Sequence, residues 1–370
     1  MNESFAECFG EIEDPRIERT KKHKLLDIIA LAILGVMAGA QSFEEIEDFG
    51  AIHEIWLKRY LELANGIPSH DTINRVCQNL CPKSFEQAFL NWLKETRALL
   101  PEGVVAIDGK TLCGSHERIK GLKGLHVVSA WSCSNGLSLG QIKVDGKSNE
   151  ITAIPDLLKR LMLSGAIVTI DAMGCQKDIA EAIRDKGADY LLAVKGNQGN
   201  LFESIQDCFK LAKEESLYCT KDPINKDHGR IEERRIDLLP ASLLEGLVDL
   251  KGWPGMASIA QITSKRESAY EQSEEVRYYI SSLPHDNPRR ILDAVRAHWQ
   301  IENTLHWSLD VTFKEDDCRV RDETAALNLS WMRKMALSFL KAETSFKASI
   351  RRKQLRLWSS PEYALKVLGI

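Results

Sequence analysis

The spacing of apolar residues changes once along this chain of 370 residues, near residue 101. Before that point apolar residues recur at helical spacing, which predicts an all-helical N-terminal domain over residues 1–100. After it, short apolar runs typical of buried strands alternate with helical segments, which predicts an α/β fold. The predicted helices of the first part are Leu25–Met37, Phe43–Phe49, Ile52–Leu63, Thr72–Leu80 and Phe85–Leu99.

The order of elements after residue 101 predicts one mixed sheet flanked by helices. Strands are expected at 104–108 and 166–170, with a hairpin around Asn135-Gly136, and helices and a further strand follow up to residue 194. Asn-Gly is a strong hairpin signal. The order strand, strand, strand, helix, strand, helix, strand is that of a ribonuclease H-like sheet. We therefore divide the remainder into 101–214, the first part of a catalytic domain, a β-rich insertion over 215–285, and helices over 286–370.

Three acidic residues stand in positions that suit a site for divalent cations. Asp108 and Asp171 each follow an apolar strand-like run, and Glu302 lies in a helix-like stretch from Ala294 to Leu309. Carboxylates at neighbouring strand ends repel one another unless a cation such as Mg²⁺ neutralises them. Asp108, Asp171 and Glu302 are therefore the candidate metal ligands and catalytic residues. Such a site suits the cleavage of phosphodiester bonds.

Other interpretations of these motifs are weaker. Asp108-Gly109-Lys110-Thr111 resembles the end of a phosphate-binding loop, but the residues before it form a strand. His298, Glu302 and His306 would share one helical face, yet the histidines are eight residues apart, which does not fit a zinc-protease helix. The acidic run 315–317 could supply the third ligand instead of Glu302. We rank it second because a charged turn after a helix is usually solvated.

Composition excludes several classes of protein. With 44% hydrophobic and 28% charged residues, the chain is typical of a globular protein that is neither disordered nor membrane-spanning. The nine scattered cysteines are typical of free thiols in a reducing compartment, and the amino terminus lacks a secretory pattern. We therefore expect a cytoplasmic protein that acts on DNA in the bacterial nucleoid. The apolar run Ile28–Ala40 is too short for a bilayer span and predicts a buried helix. The net charge of -4 does not decide for or against nucleic acid, but short basic clusters occur at 19–24, 118–123 and 351–356.

The segment from Gly66 to Arg75 fits two structures. Its Gly and Pro followed by Ser69, His70 and Asp71 predict a turn and a capped helix, as in a DNA-reading helix-turn-helix. A capped helix packed in a bundle fits these residues equally well.

Six segments together resemble the H-repeat-associated family of bacterial insertion-sequence transposases. The resemblance runs in order along nearly the whole chain, through the segments Leu25–Ile29, Ile67–Thr72, Ala106–Lys110, Lys195–Gln198, His228–Glu232 and His298–Asn303. It implies a helical amino-terminal region and a ribonuclease H-like DDE catalytic domain with Asp108, Asp171 and Glu302 as its metal-binding acids. Related transposases often carry Tyr, Arg and Lys around the glutamate, where this chain has Val295, His298 and Leu309.

The expected function is a DNA transposase of an insertion sequence, dependent on two Mg²⁺ ions, with Mn²⁺ as a substitute. Its partners would be double-stranded DNA at terminal inverted repeats and at the target, bound as a dimer. The alternatives are a DNA-binding remnant or regulator that does not cut, and a structure-selective nuclease. Candidate DNA contacts, each with a structural role as the alternative, are Lys110, Lys195, Asn197, His228, Arg230, His298, Ser69, His70 and Arg75.

Overall fold

The computed structural model of the chain divides into two compact units. It describes residues 3–96, 103–116, 124–145, 149–227, 230–268 and 272–368. Unit 1 consists of Met1–Leu100, Gly109–Gly146 and Glu302–Ile370, and unit 2 consists of Pro101–Asp108 and Lys147–Ile301. The basic cluster at 118–123 lies outside the described residues. The predicted domain boundaries stay a prediction.

Unit 1 contains the helices that the first hundred residues predict. The longest apolar one, α2, is buried over 13 of its 14 residues and ends at Gly39, whose φ of 102° is left-handed. The expected helix over Ile52–Leu63 is wrong, because only a single turn there is helical. The six helices are α1 (Glu3–Gly10), α2 (Leu25–Ala38), α3 (Phe43–Ile52), α4 (Glu54–Leu57), α5 (His70–Asn79) and α6 (Pro82–Thr96).

The C-terminal segment adds three helices to unit 1: α11 (Glu323–Ala342), α12 (Ile350–Ser359) and α13 (Tyr363–Leu368). Helix α11 packs against α2, α5 and α6, and this central position explains why it is buried over most of its length. The side-chain amide of Asn328 donates to the carbonyls of Cys77 and Leu80 at 2.9 Å each. In the described part of the chain no single helix is long and apolar enough to cross a membrane; α2 and α3 pass that test only as a pair bent by 96°.

The predicted hairpin is confirmed in unit 1. Strands β2 (Leu125–Ser132) and β3 (Leu137–Lys143) pair in antiparallel fashion. Gly136 in the turn has a φ of 64°, a conformation that favours glycine. Strand β1 (Val104–Leu112) is longer than expected: it does not end at Asp108 but continues for four residues, which belong to unit 1.

The first half of β1 opens the sheet of unit 2. It pairs in parallel with β4 (Ile167–Ile170), and β4 pairs in parallel with β5 (Asp189–Val194). Beyond β5 the sheet continues in the order β10-β9-β8-β6, with β7 also on β8. The strands of the expected β-rich insertion therefore extend the same sheet. They are β6 (Tyr218–Lys221), β7 (Asn225–Asp227), β8 (Arg230–Pro240), β9 (Ser258–Ser268) and β10 (Gln272–Ser281).

The helices of unit 2 are α7 (Glu150–Arg160), α8 (Lys177–Asp185), α9 (Gly199–Leu211) and α10 (Pro288–Gln300). Helix α10 begins at Pro288 after Asn287, whose side chain accepts from the backbone N–H of Arg290, and it buries Ile291, Leu292 and Val295. The order of the first five strands and two helices is the predicted one. The α/β architecture, a mixed sheet flanked by helices, is thus confirmed.

The expected α-helix around Glu302 is wrong in its second half. Helix α10 ends at Gln300, and the backbone continues as π-helix over Ile301–His306 and Ser308–Thr312. The wider π-helical turn breaks the i, i+4, i+8 alignment that the α-helical period gave His298, Glu302 and His306. His298 belongs to unit 2, whereas Glu302 and His306 belong to unit 1.

Candidate active site

Two of the three candidate acids directly follow the paired segments of two neighbouring parallel strands of unit 2. The pairing of β1 with β4 ends at Ile107 opposite Ile170, and Asp108 and Asp171 are the residues that come next. The runs before them are buried because they lie inside the sheet. Their register brings Asp108 and Asp171 to the same edge of the sheet, as expected for carboxylates at the ends of neighbouring parallel strands.

The backbone after β4 fixes the orientation of Asp171. Its Oδ1 atom accepts from the N–H groups of Met173 at 3.0 Å and Gly174 at 3.4 Å, so that Asp171 caps the short 3₁₀ turn Ala172–Gly174. A Cβ atom on Gly174 would lie 2.3 Å from Cγ2 of Ile170, so this turn requires glycine. Desolvation, aided by the charge of Glu150, raises the pKa of Asp171 although the two N–H groups and Lys195 oppose the shift.

The residues after β5 hold the loop that follows Asp171. The side-chain amide of Asn197 donates to the carbonyl of Ala172 at 2.6 Å, and that of Gln198 donates to the carbonyl of Cys175 at 2.8 Å. Both bonds connect the loop after β5 to the loop after β4. Asn197 was a candidate DNA contact; its described hydrogen bond instead supports the loop that carries Asp171.

Glu302 lies in the first turn of the π-helix and its side chain is exposed. It is the first residue of the last segment of unit 1, whereas Asp108 and Asp171 lie in unit 2. No group of three or more His, Cys, Asp and Glu side chains among the described residues is arranged to hold a metal ion. The three-carboxylate site therefore stays a prediction.

A buried ion cluster in unit 1 surrounds Lys110, which was another candidate DNA contact. Its ammonium group lies 2.5 Å from Asp310, 3.0 Å from Glu315 and 3.2 Å from Asp316. Glu315 is only 2% exposed, so the expectation that the acidic run 315–317 is solvated is wrong for Glu315, whereas Asp317 is exposed. The turn is also packed closely, because a Cβ atom on Gly114 would lie 2.1 Å from the carbonyl oxygen of Cys318.

Cations from α11 complete this cluster, and sequence reasoning missed them. Lys334 is buried, donates to Oε1 of Gln141 at 2.6 Å, and has its pKa lowered to about 8 by desolvation. Burial alone would raise the pKa of Glu315, but Lys110, Lys334 and Arg333 outweigh it and lower that pKa. Desolvation lowers the pKa of His306 to about 4, so this imidazole is neutral at pH 7. The signal in the sequence was the pair of cations within the apolar helix α11.

The remaining candidate DNA contacts have individual surroundings. Ser69 precedes α5 and its hydroxyl lies 3.2 Å from that of Thr72, while Nε of Arg75 donates to the carbonyl of Asp71 at 3.2 Å. Nδ1 of His70 lies 2.6 Å from Oε2 of Glu47. Arg230 begins β8, and His228 lies outside the described residues.

His298 and Lys195 are the last two candidate DNA contacts. Nδ1 of His298 lies 3.0 Å from the hydroxyl of Thr169 on β4, and desolvation lowers the pKa of His298 to about 4. Lys195 follows β5 and its charge acts on Asp171. A DNA contact by any of these candidates, from Ser69 to His298, stays a prediction.

Comparison with known proteins shows to which family the chain belongs. The family described as "Transposase DDE domain" matches residues 100–339, and the family described as "DDE_Tnp_1-associated" matches residues 6–93. "Putative protein YbfL" of Escherichia coli K12 is 43% identical, and "H repeat-associated putative transposase YhhI" of the same strain is 42% identical. Each alignment covers 97% of this chain and 96% of the relative. A solved piggyBac transposase synaptic complex with hairpin DNA is 12% identical with a TM-score of 0.43, over 98% of this chain and 76% of that one.

The chain therefore belongs to the DDE transposases, and within them to the H repeat-associated family of bacterial insertion sequences. The expected family resemblance is confirmed. Members of the DDE family generally use divalent metal ions.

Removing the charge of Glu315 tests the buried cluster. We expect Glu315→Gln to lower the free energy of unfolding by about 3–5 kcal/mol, because Lys110, Lys334 and Arg333 lose their buried counter-charge. Urea denaturation at pH 7 measures the change. The matched control is Glu62→Gln, which breaks an exposed pair with Lys24 and should change stability by less than about 1 kcal/mol. A Glu315→Gln protein as stable as the control variant would contradict the cluster's structural role.

The pair of His70 and Glu47 predicts a dependence of stability on pH. Glu47 accepts a hydrogen bond from His70 and so raises the pKa of His70 above its ordinary 6.5. Because the folded state binds this proton more tightly, the pair's stabilisation is fully present below pH 6.5 and is lost as the pH rises through the folded pKa. NMR titration of the imidazole should show the raised pKa, and Glu47→Gln should return it to about 6.5. An unchanged pKa in that variant would exclude Glu47 as the cause.

Proposed function

We propose that this chain is an active, metal-dependent transposase that cuts DNA at the ends of an insertion sequence and joins the freed strand to target DNA in the bacterial cytoplasm. One observation carries the proposal: Asp108 and Asp171 directly follow a register pair on neighbouring parallel strands. The parallel order β1-β4-β5 within unit 2 supports a ribonuclease H-like catalytic core. Family membership supports Glu302 as the third acid.

The donor chemistry of the three acids fits divalent ions, since Mg²⁺ and Mn²⁺ prefer carboxylate oxygens. We propose that Asp108, Asp171 and Glu302 hold two such ions. When bound, the ions would supply Lewis-acid activation of a water molecule and stabilisation of the leaving 3′ oxygen. The raised pKa of Asp171 favours this role, because a carboxylate in a partly desolvated place beside Glu150 gains from a nearby cation.

The protein's own contribution is to orient these carboxylates. The N–H groups of Met173 and Gly174 fix Oδ1 of Asp171, and Asn197 and Gln198 hold the loop behind it. An oriented carboxylate loses less freedom when it binds a ligand than a mobile one does. Double-stranded DNA with terminal inverted repeats is the proposed substrate, bound by a dimer so that two ends can be joined.

The second candidate is a DNA-binding protein of the same fold that does not cut. The observation in its favour is that the described residues contain no group of three acids arranged for a metal ion. A structure-selective nuclease is the third candidate. Preference for one inverted repeat over unrelated DNA separates a transposase from such a nuclease.

Substitution of Asp108 tests the catalytic role. With a supercoiled plasmid that carries the element ends and Mg²⁺, we expect Asp108→Asn to lower strand cleavage by at least about a hundredfold, because a proposed ligand of the divalent ions is lost. Affinity for the ends should change by less than about threefold. The control is Asp178→Asn on the exposed side of α8, which should cleave like the wild type.

Each result of this assay decides between the candidates. Cleavage retained by Asp108→Asn would remove Asp108 from the mechanism. Binding without cleavage by the wild type, with either Mg²⁺ or Mn²⁺, would support the protein that does not cut. Cleavage by the wild type that a chelator abolishes supports the proposal.

Substitution of Asn197 separates positioning from DNA contact. Asn197→Ala removes the part-buried bond to Ala172, so we expect cleavage to fall by up to about tenfold, the effect of one lost hydrogen bond, while DNA affinity is unchanged. The control is Asn200→Ala, because the Asn200 amide donates to Leu247, in another loop. If Asn197→Ala instead weakens DNA binding and its dependence on salt, the residue is a phosphate contact.

A further inference from the structure

The C-terminal part of unit 1 carries a positive charge that contrasts with the whole chain. Residues 343–368 contain six Lys or Arg and two Glu, a formal charge of +4, whereas the chain as a whole has −4. Most of this charge lies on α12. Its buried residues are Lys353, Gln354 and Leu357, and three arginines lie on its exposed side: Arg351, Arg352 and Arg356. We call these three the α12 arginines.

The α12 arginines form no ion pair within the described part of the chain, unlike several other cations of unit 1. Lys24 pairs with Glu62, Lys58 with Glu54, and Lys143 with Glu323. By contrast, none of the α12 arginines forms an ion pair with any carboxylate that the structure describes.

The two nearby glutamates are bound elsewhere. Glu343 accepts hydrogen bonds from Ser345 and Tyr363, and Lys353 lies 3.7 Å from it. Glu362 accepts from the hydroxyl of Ser360 at 3.1 Å. The positive charge of the α12 arginines is therefore not neutralised by these two glutamates.

Aromatic rings hold two of the α12 arginines in place. The guanidinium carbon of Arg356 lies 4.4 Å from the ring centre of Phe346 and 4.9 Å from that of Tyr363, and that of Arg352 lies 5.5 Å from Phe346. Stacking uses the flat face of a guanidinium and leaves its N–H edge for an anion. Side chains that are already ordered lose less entropy when they bind. These are the properties of a prepared site for phosphate groups.

We propose that the α12 arginines bind the sugar-phosphate backbone of double-stranded DNA. This inference rests on the proposed function, in which the chain acts on DNA, and it names a surface that the candidate contacts did not include. Residues 352 and 356 are one helical turn apart, about 6 Å along the axis, so their guanidinium groups can engage the same strand. Contacts to phosphates carry no base information, so the surface should bind DNA of any sequence.

The salt dependence of DNA binding tests the inference. The full chain is titrated with two unrelated fluorescent duplexes at several salt concentrations, and the slope of log K against log salt is measured. Loss of three phosphate contacts in the triple variant Arg351→Gln, Arg352→Gln, Arg356→Gln should reduce the magnitude of the slope by about 2.7. It should also weaken both duplexes by the same factor, at least about tenfold.

The matched control removes equal charge from paired cations. Lys58→Gln, Lys143→Gln and Lys210→Gln together remove three positive charges that are paired with Glu54, Glu323 and Asp207, so an effect of net charge alone would appear in both triple variants. The inference requires the control to retain the wild-type slope. Replacement of the α12 arginines by lysine keeps the charge but loses the stacking, and should restore most of the slope with weaker binding.

If the triple variant fails to fold, Arg351→Gln alone tests the inference. Arg351 does not stack on the described aromatic rings, so its replacement should leave the fold intact. A slope smaller by about 0.9 supports the inference. An unchanged slope in a folded arginine variant overturns it but leaves the proposed cleavage activity standing. Binding to anionic lipid vesicles in preference to the duplexes also overturns it, and a wild-type chain that binds no DNA overturns both proposals.

Discussion

The parallel register between β1 and β4 is the constraint on which the rest of the candidate site depends. It ends at Ile107 and Ile170, so the next residue on each strand is an aspartate at the same edge of the unit 2 sheet. A shift of one residue in either strand would turn an apolar side chain toward that edge and bury a carboxylate in the sheet. The buried side chains of β4 fix the register, because each of its four residues is buried.

The cluster around Lys110 follows from a second constraint. A charge needs a compensating partner where water is excluded. Lys110 lies on β1 and is surrounded by three acids, Asp310, Glu315 and Asp316. On α11, Lys334 and Arg333 compensate the charge of Glu315. Buried charges of one sign alone would be expensive, so the cluster contains both signs. It connects β1, the segment after the π-helix and α11 within unit 1.

The basic residues of this chain therefore serve two different purposes. Lys110 is surrounded by carboxylates, so most of its charge is compensated inside the protein. The α12 arginines are exposed and form no ion pair with a described carboxylate, which leaves them available to an external phosphate. Aromatic stacking orders two of them, Arg352 and Arg356. Position in the sequence does not distinguish these cases: Lys110 stands next to a candidate catalytic residue, whereas α12 lies near the carboxyl terminus.

The sequence by itself determined the order of elements, the hairpin at Asn135-Gly136, the buried helix α2, Asp171 after its strand and the family. These features depend on local periodicity, on turn residues and on motifs, all of which involve residues close together in the sequence. Only the tertiary structure decided that Glu315 is buried, that Asn197 supports the loop after Asp171, and that the backbone at Glu302 is π-helical. Each of these depends on groups distant in the chain or on a hydrogen-bond pattern that local propensity does not encode. From the sequence Glu315 is expected to be solvated, and only the tertiary structure brings Lys110 of β1 and Lys334 of α11 beside it.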